Sequence, residues 1–235
     1  MTDVGQKIDA KNAQWSFSGD VAKTFSEHVK LSVPLYSEGQ ELTANVSEFF
    51  ISKNSVIYDL GCSLGTLTSM LADRHISKSA RVIGIDNEKD MINEAQKINK
   101  RKNIKFFADD IVSMEFEKSN FISCYYTIQF IHPSVRQIVF EKIYDSLNWG
   151  GGFVLFEKVR SNDARFQDYI TQLYNEFKLK QGFTPDNIIS KSLSLKSVLE
   201  PFSTQGNIDM LKRAGFKDII TIQKYLSFEG FLAIK

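Results

Sequence analysis

Two cysteines in 235 residues, Cys62 and Cys124, are too few and too far apart for a disulfide framework, and they cannot build a zinc site alone. With three histidines in the whole chain, a structural metal centre is not expected. Charge of one sign is not in excess: 29 basic residues face 28 acidic ones, a net charge of +1. A surface built to neutralise many phosphates carries a clear surplus of Lys and Arg, so a dedicated nucleic-acid-binding domain is disfavoured. No run of 18 apolar residues is present, so no membrane span is expected. The polar start MTDVGQKIDAKNAQ has no apolar segment of a secretory signal. Together these absences predict a reduced, cytoplasmic protein. A disordered or collagen-like chain is excluded by 43% apolar residues and only 13 glycines.

What is there alternates. Residues 1–20 are polar and read as irregular. Helical spacing follows over Val21–Leu31, ended by Ser32-Val33-Pro34, and again over Tyr36–Ile51. Strands are predicted at Ser55–Leu60, Arg81–Ile85, Ile104–Ala108, Phe121–Tyr126 and Phe153–Glu157. Helices fall between them at Thr66–Arg74, Glu88–Lys100 (Met91, Ile92, Ala95 and Ile98 on one face) and from Pro133 to Leu147. The stretch Asn148-Trp149-Gly150-Gly151-Gly152 reads as a break. Such alternation argues for a mainly parallel sheet with helices on both faces. Two helices at Asp163–Lys180 and Asp186–Leu199 then interrupt the winding. A helix at Asn207–Ala214, with Gly215 at its C-cap, and two closing antiparallel strands complete a seven-stranded α/β plan. The chain divides into N-terminal helices (1–52), a core (53–160), a helical insertion (161–202) and the end of the sheet (203–235), read as one domain. The insertion follows the fifth strand and would sit over the carboxyl ends of the strands, so with the N-terminal helices it is predicted to form a lid.

The sharpest local pattern is Val56-Ile57-Tyr58-Asp59-Leu60-Gly61-Cys62-Ser63-Leu64-Gly65-Thr66, an apolar strand, an acidic residue, a Gly-containing turn and a helix. Gly61 and Gly65 would let the backbone approach a ligand. Asp86, ending the second strand, can accept both hydroxyls of a ribose. Asp109-Asp110, after the third, can take the exocyclic amine of an adenine. A dinucleotide needs G-x-G-x-x-G for its pyrophosphate, and here the three positions are Gly61, Ser63 and Thr66. S-adenosylmethionine has no phosphate and tolerates the looser turn. Its α-amino group could be held by Asp59, which could equally support the loop.

These residues resemble the class I S-adenosylmethionine-dependent methyltransferases, with their Rossmann-like fold, and within them the carboxy-S-adenosylmethionine synthase group, which serves wobble-uridine modification in tRNA. The resemblance runs through Trp15-Ser16-Phe17, Ser32-Val33-Pro34-Leu35-Tyr36-Ser37, the Asp59–Gly65 turn, Ile85-Asp86-Asn87, Met91-Ile92, Thr127-Ile128-Gln129-Phe130, Lys142-Ile143-Tyr144, Gly151-Gly152, Glu157-Lys158 and Ala214-Gly215-Phe216. It implies cofactor contacts at Tyr36, Gly61, Asp86, Asn87, Asp110 and Ile111; Asp59, Ser63, Gly65, Met91 and Tyr125 complete the candidate cofactor set. A homodimer is also implied. Two positions depart from the pattern. Tyr125 stands where the group has Asn, and Ser192 stands where an Arg would hold the extra carboxylate of carboxy-S-adenosylmethionine. No arginine occurs between Arg165 and Arg213. A carboxylate in a closed site calls for a charged, forked partner, and Ser192 is one neutral hydroxyl, although Lys191 or Lys196 could act as a point charge.

The expected activity is therefore methyl transfer from S-adenosylmethionine to a small molecule under the lid, leaving S-adenosylhomocysteine, with no direct nucleic-acid substrate. The alternatives are a synthase using prephenate as carboxylate donor and a non-catalytic scaffold. Candidate acid–base residues are His132, His28 and Tyr125, each with a packing or helix-boundary alternative. Tyr126, Gln129, Lys191 and Ser192 are candidates for the acceptor pocket, where Tyr126 and Gln129 could equally fill the sheet face.

Overall fold

The computed structural model describes residues 21–235, with side chains from Glu27 onward. The calls on residues 1–20, including Trp15-Ser16-Phe17, lie outside the described residues. In chain order the elements are α1 (Val21–Ser32), α2 (Tyr36–Ser47), β1 (Val56–Leu60), α3 (Thr66–Arg74), β2 (Arg81–Asp86), α4 (Lys89–Ile98), β3 (Ile104–Ala108), β4 (Ser119–Tyr125), α5 (Pro133–Ser146), β5 (Leu147–Lys158), α6 (Ala164–Lys180), α7 (Pro185–Ser194), α8 (Thr204–Ala214), β6 (Asp218–Tyr225) and β7 (Phe228–Ile234). They form one seven-stranded sheet in the order β3-β2-β1-β4-β5-β7-β6. β7 runs antiparallel to both of its neighbours, and the other pairings are parallel. The chain order reverses between β1 and β4, and at such a switch point the carboxyl ends of the strands open a crevice.

The period of two along the strands assigns the two faces. Tyr58, Leu60, Phe153 and Leu155 point to one face, where Val139, Phe140, Ile143, Met210 and Leu211 of α5 and α8 cover them. Ile57, Val154 and Phe156 point to the other, against Ala44, Leu67 and Leu71 of α2 and α3. All five residues of β1 are buried, as in the centre of a doubly covered sheet. Burying each large apolar side chain contributes about 1.5–3 kcal/mol, which is what holds the layers together.

Local signals set the helix boundaries. Pro133 occupies the first turn of α5 behind His132 as N-cap. Thr184 and Asn187 form a capping box at α7, with Pro185 next in line. Ser203 caps α8, and Gly215, at φ 122°, closes it.

Several boundaries differ from the sequence expectation. α2 stops at Ser47, four residues early, and α7 stops at Ser194, before a run of turns. The glycine stretch at 148–152 does not separate α5 from a strand. β5 begins at Leu147 and absorbs it, because Leu147 pairs with Ser119 and Gly152 with Phe121 across an irregular register. Ile98 is exposed rather than part of the buried face of α4. One side of α2 packs into the core. Thr43 and Ser47 are wholly buried, and the Ser47 hydroxyl meets Nε2 of the buried His75, 2.7 Å away. α2 is a core helix whose first turn reaches the crevice. Cys62 and Cys124 are buried free thiols filling the core.

Candidate active site

The turn after β1 is shaped by the protein's own side chains. Gly61 and Gly65 have φ of 76° and 75°, the left-handed region that favours glycine. A Cβ on Gly61 would run into Thr127, and one on Gly65 would stand 2.6 Å from Phe106. Thr127, whose hydroxyl donates to the Leu60 carbonyl at 2.8 Å, and Phe106 occupy the Cβ side of the two glycines.

Asp59 lies beneath the turn, 1% exposed. Thr68 donates to one carboxylate oxygen at 2.6 Å and Ser123 to the other at 3.0 Å. Burial pushes its carboxyl up to about 6. With both oxygens engaged, Asp59 ties β1 to α3 and β4 beneath the turn. Asp86 is differently placed. It ends β2 partly exposed, and its two oxygens accept from the Ser63 amide at 2.8 Å and the Glu88 amide at 3.0 Å. Burial raises its carboxyl while these amides oppose the shift. Both oxygens are thus aimed by the backbone, and each keeps a lone pair for a further donor. Asn87 is exposed beside it; Ser63 is left-handed at φ 50°, and its hydroxyl lies 3.6 Å from the sulfur of buried Met91. One strand further, Asp109 and Asp110 are exposed, and Ile111 is buried. Each aspartate accepts a backbone amide through its Oδ1, Asp109 from Asp110 at 2.8 Å and Asp110 from Val112 at 2.9 Å.

Across the crevice three tyrosines pack together. Tyr36 opens α2, its ring edge-on to Tyr125 at 5.1 Å and stacked on Tyr126 at 6.2 Å. The Tyr125 hydroxyl donates to the Tyr36 carbonyl at 2.6 Å, and burial raises its pKa far above neutrality. That geometry makes Tyr125 a strut between α2 and β4. Gln129 is buried, with its amide oxygen accepting from the Lys158 amide at 2.9 Å and its nitrogen directed to the Tyr126 carbonyl. Its polar end is therefore turned to backbone rather than to an acceptor. His132 is exposed and capped against Ser134, Nδ1 to Oγ 2.7 Å. His28 lies against Phe183 and accepts from the Lys191 amine at 2.7 Å; burial, with the Lys191 charge, lowers its pKa to about 4. The two histidines are not brought together. Among the described residues no cluster of His, Cys, Asp and Glu is placed to hold a metal.

Comparison with known proteins adds identity to this geometry. Residues 57–151 match a family described as a methyltransferase domain. The chain is 36% identical to the carboxy-S-adenosyl-L-methionine synthase of Staphylococcus epidermidis over 223 residues, 94% of this chain and 97% of that one. It is equally identical to the enzyme of the same name from Campylobacter jejuni, over 94% of each chain. The chain belongs to the carboxy-S-adenosyl-L-methionine synthase family. Family membership makes it a transferase with S-adenosylmethionine as cofactor. Solved structures share the fold. Human N-acetylserotonin methyltransferase in complex with S-adenosylmethionine has a TM-score of 0.66 at 18% identity, over 93% of this chain and 57% of that one. A putative O-methyltransferase from Nostoc punctiforme has a TM-score of 0.66 at 14% identity, over 92% and 60%. This chain thus spans a little over half the length of those two.

The turn fits the family's cofactor in chemistry: amide-aimed carboxylate oxygens at Asp86 suit a diol. Three groups escaped the sequence reading. Arg136 is 1% exposed and donates to the carbonyls of Ile131, Gln129 and Glu200 at 2.8, 3.0 and 2.7 Å. It ties the segment after α7 to the core. Glu157, buried nearby, is pushed up to about 8 by burial, with the Arg136 charge opposing. Lys158 and Lys178 meet at Tyr174, their amines 4.7 and 4.4 Å from its ring centre. Glu157-Lys158 entered the sequence reading only as part of the resemblance, and no local motif signals the partners, Arg136 in α5 and Lys178 in α6.

Proposed function

We propose that the chain transfers the methyl group of S-adenosylmethionine to a small acceptor at the carboxyl ends of β4 and β5, beneath α6 and α7. When bound, the cofactor supplies a methyl carbon activated by positive sulfur. Asp86 would hold the ribose hydroxyls, Asn87 would flank them, and Asp110 with Ile111 would meet the adenine. Tyr36 and Tyr126 would wall the reacting end and exclude water. Methyl transfer needs chiefly a close in-line approach, so positioning supplies most of the acceleration. A base is required only for an acceptor whose proton has a high pKa, and the reading requires neither His132 nor His28 in that role. A homodimer belongs to the same proposal and is tested by light scattering.

The observation carrying this reading is Ser192. It lines a cavity beside α6, and it stands where the resemblance implies an arginine. A carboxylated cofactor would lose its forked partner there. A second reading, synthesis of carboxy-S-adenosylmethionine from prephenate, is favoured by the names of the relatives and by lysines in that cavity. Mass spectrometry of ligand carried through purification separates the two. S-adenosylmethionine or its demethylated product supports methyl transfer. The carboxylated cofactor, in the purified protein or after incubation with prephenate, overturns it.

A further inference from the structure

Residues 95–108 hold five of the chain's 29 basic residues, Lys97, Lys100, Arg101, Lys102 and Lys105, and none of its 28 acidic ones. They cover the end of α4, the turn after it and β3. Some of these charges have a local task. Arg101 holds Asp73 with two guanidinium nitrogens, at 2.5 and 2.7 Å. Lys100 donates to the Gln96 carbonyl at 2.9 Å, as basic residues do at helix carboxyl ends. Lys97 meets Glu94 in an exposed pair, which contributes little. Lys102 and Lys105 are exposed and, among the described residues, make no ion pair. The strand itself is unusually open. β3 is an edge strand, and its connection to β4, residues 109–118, carries no helix. Lys105 and Phe107 stand in register with Ile83 and Ile85 of β2 and share their face; the two isoleucines are buried, whereas Lys105 and Phe107 are exposed. Phe106 points the other way and packs with Cys62, Ile92 and Ala95. A groove of about 320 Å³ lies along this edge, with Lys105 and Phe107 in its wall. Gln96 donates to the Phe106 carbonyl at 3.3 Å, which occupies the outer edge of β3 and hinders pairing with a further strand. What stays free is a face of side chains, one ring and several ammonium groups.

We propose that the bare face of β3 and the basic turn before it form a docking surface for single-stranded nucleic acid, in which Lys102 and Lys105 take phosphates and the Phe107 ring stacks on a base. An aromatic ring on an open sheet face beside basic side chains suits this ligand, because every base offers a flat face and every nucleotide a charge. Residues 105 and 107 stand about 6.6 Å apart along the strand, so one ligand meets both. An acidic peptide would engage the lysines and leave the ring unused. Asp109 and Asp110 follow at the carboxyl end of β3 and repel phosphates there, so the track is short and stops before the crevice. The nearly balanced charge of the whole chain is compatible with this surface, since the surplus is local and the remainder of the chain is net acidic. Docking here is independent of the methyl-transfer reading: it is weak, tolerant of sequence and sensitive to salt.

The test follows the fluorescence anisotropy of a labelled twelve-nucleotide oligouridylate titrated with the full chain at several salt concentrations. A Kd on the order of 10⁻⁵ M is expected at low salt. Lys102→Gln and Lys105→Gln should each weaken binding by about threefold or more and reduce the slope of log affinity against log salt by about 0.7. Phe107→Ala should weaken it by about tenfold with the slope unchanged, and Phe107→Trp should restore it. Lys217→Gln, an exposed lysine beside β6 at the opposite edge of the sheet, should bind as the parent does. Unchanged S-adenosylhomocysteine affinity in the Gln variants shows that they are folded. Absence of saturable binding by the parent at low salt would overturn the proposal. An equal loss in Lys217→Gln or an unchanged affinity in Phe107→Ala would do the same. Tighter binding of polyglutamate, or of phosphatidylserine vesicles, than of the oligonucleotide would reassign the surface and so overturn it as well.

Discussion

The hydroxyl of Tyr125, at the end of β4, donates to the main-chain carbonyl of Tyr36, 89 positions earlier, and so pins the first turn of α2 to the sheet. Tyr125→Phe keeps the ring and removes the bond. We expect a loss of about 1 kcal/mol and a fall of about 2–4 °C in the unfolding midpoint. S-adenosylhomocysteine binding should weaken in parallel, because Tyr36 is no longer held. An unchanged midpoint would refute the strut.

Gly39 sits in the second turn of α2, and alanine there would ordinarily strengthen the helix by about 0.5–1 kcal/mol. Here a Cβ would run into the Tyr125 hydroxyl and come within 2.9 Å of Phe156. Gly39→Ala is therefore expected to cost about 1–3 kcal/mol. Combined with Tyr125→Phe, part of that cost should return, which a double-mutant cycle in denaturant measures.

Asp86→Ala removes the acceptor that both the Ser63 and Glu88 amides require. Calorimetry should show at least about a tenfold weaker affinity for S-adenosylhomocysteine, since hydrogen bonds to a charged group contribute about 1.5–3 kcal/mol each. The variant should stay folded, because the lost groups lie at the rim.

Glu157 provides a pH signature. Its carboxyl is raised from 4.5 to about 8 by burial, so the folded chain holds a proton that the unfolded chain releases. Stability contributed by this group is present below pH 4.5 and is lost as pH rises toward 8. Glu157→Gln cannot titrate. Relative to the parent, its unfolding free energy should increase steadily from pH 5 to pH 8; a constant difference over that interval would contradict the assignment.

The sheet was legible because its strands are short apolar runs bounded by turn residues, and Asp86 was legible because a carboxylate ending such a strand has few structural reasons to be there. The boundaries of α2 and α7 were not, since turns and helical residues have similar composition where packing decides. What packs against the glycines of the turn was not legible, since Thr127 and Phe106 reach their Cβ side from 66 and 41 residues away. Lys158 and Lys178 belong to two elements, and only the packing of α6 across β5 brings them together.

Tyr174 in α6 donates to the carbonyl of Ser32, 142 positions earlier, and Gln223 in β6 reaches the carbonyl of Leu35 across 188. The ends of α1 and α2 thus emerge early from the ribosome while their partners are synthesised last. At about 5–20 residues per second the wait for β6 is on the order of 10–40 s. Such distant pairings form slowly because closing the intervening loop costs entropy first. Strands β1 to β5 and α3 can cover the apolar side of α2 during that interval, but the two bonds that fix the ends of α1 and α2 must wait for the insertion and the last strands.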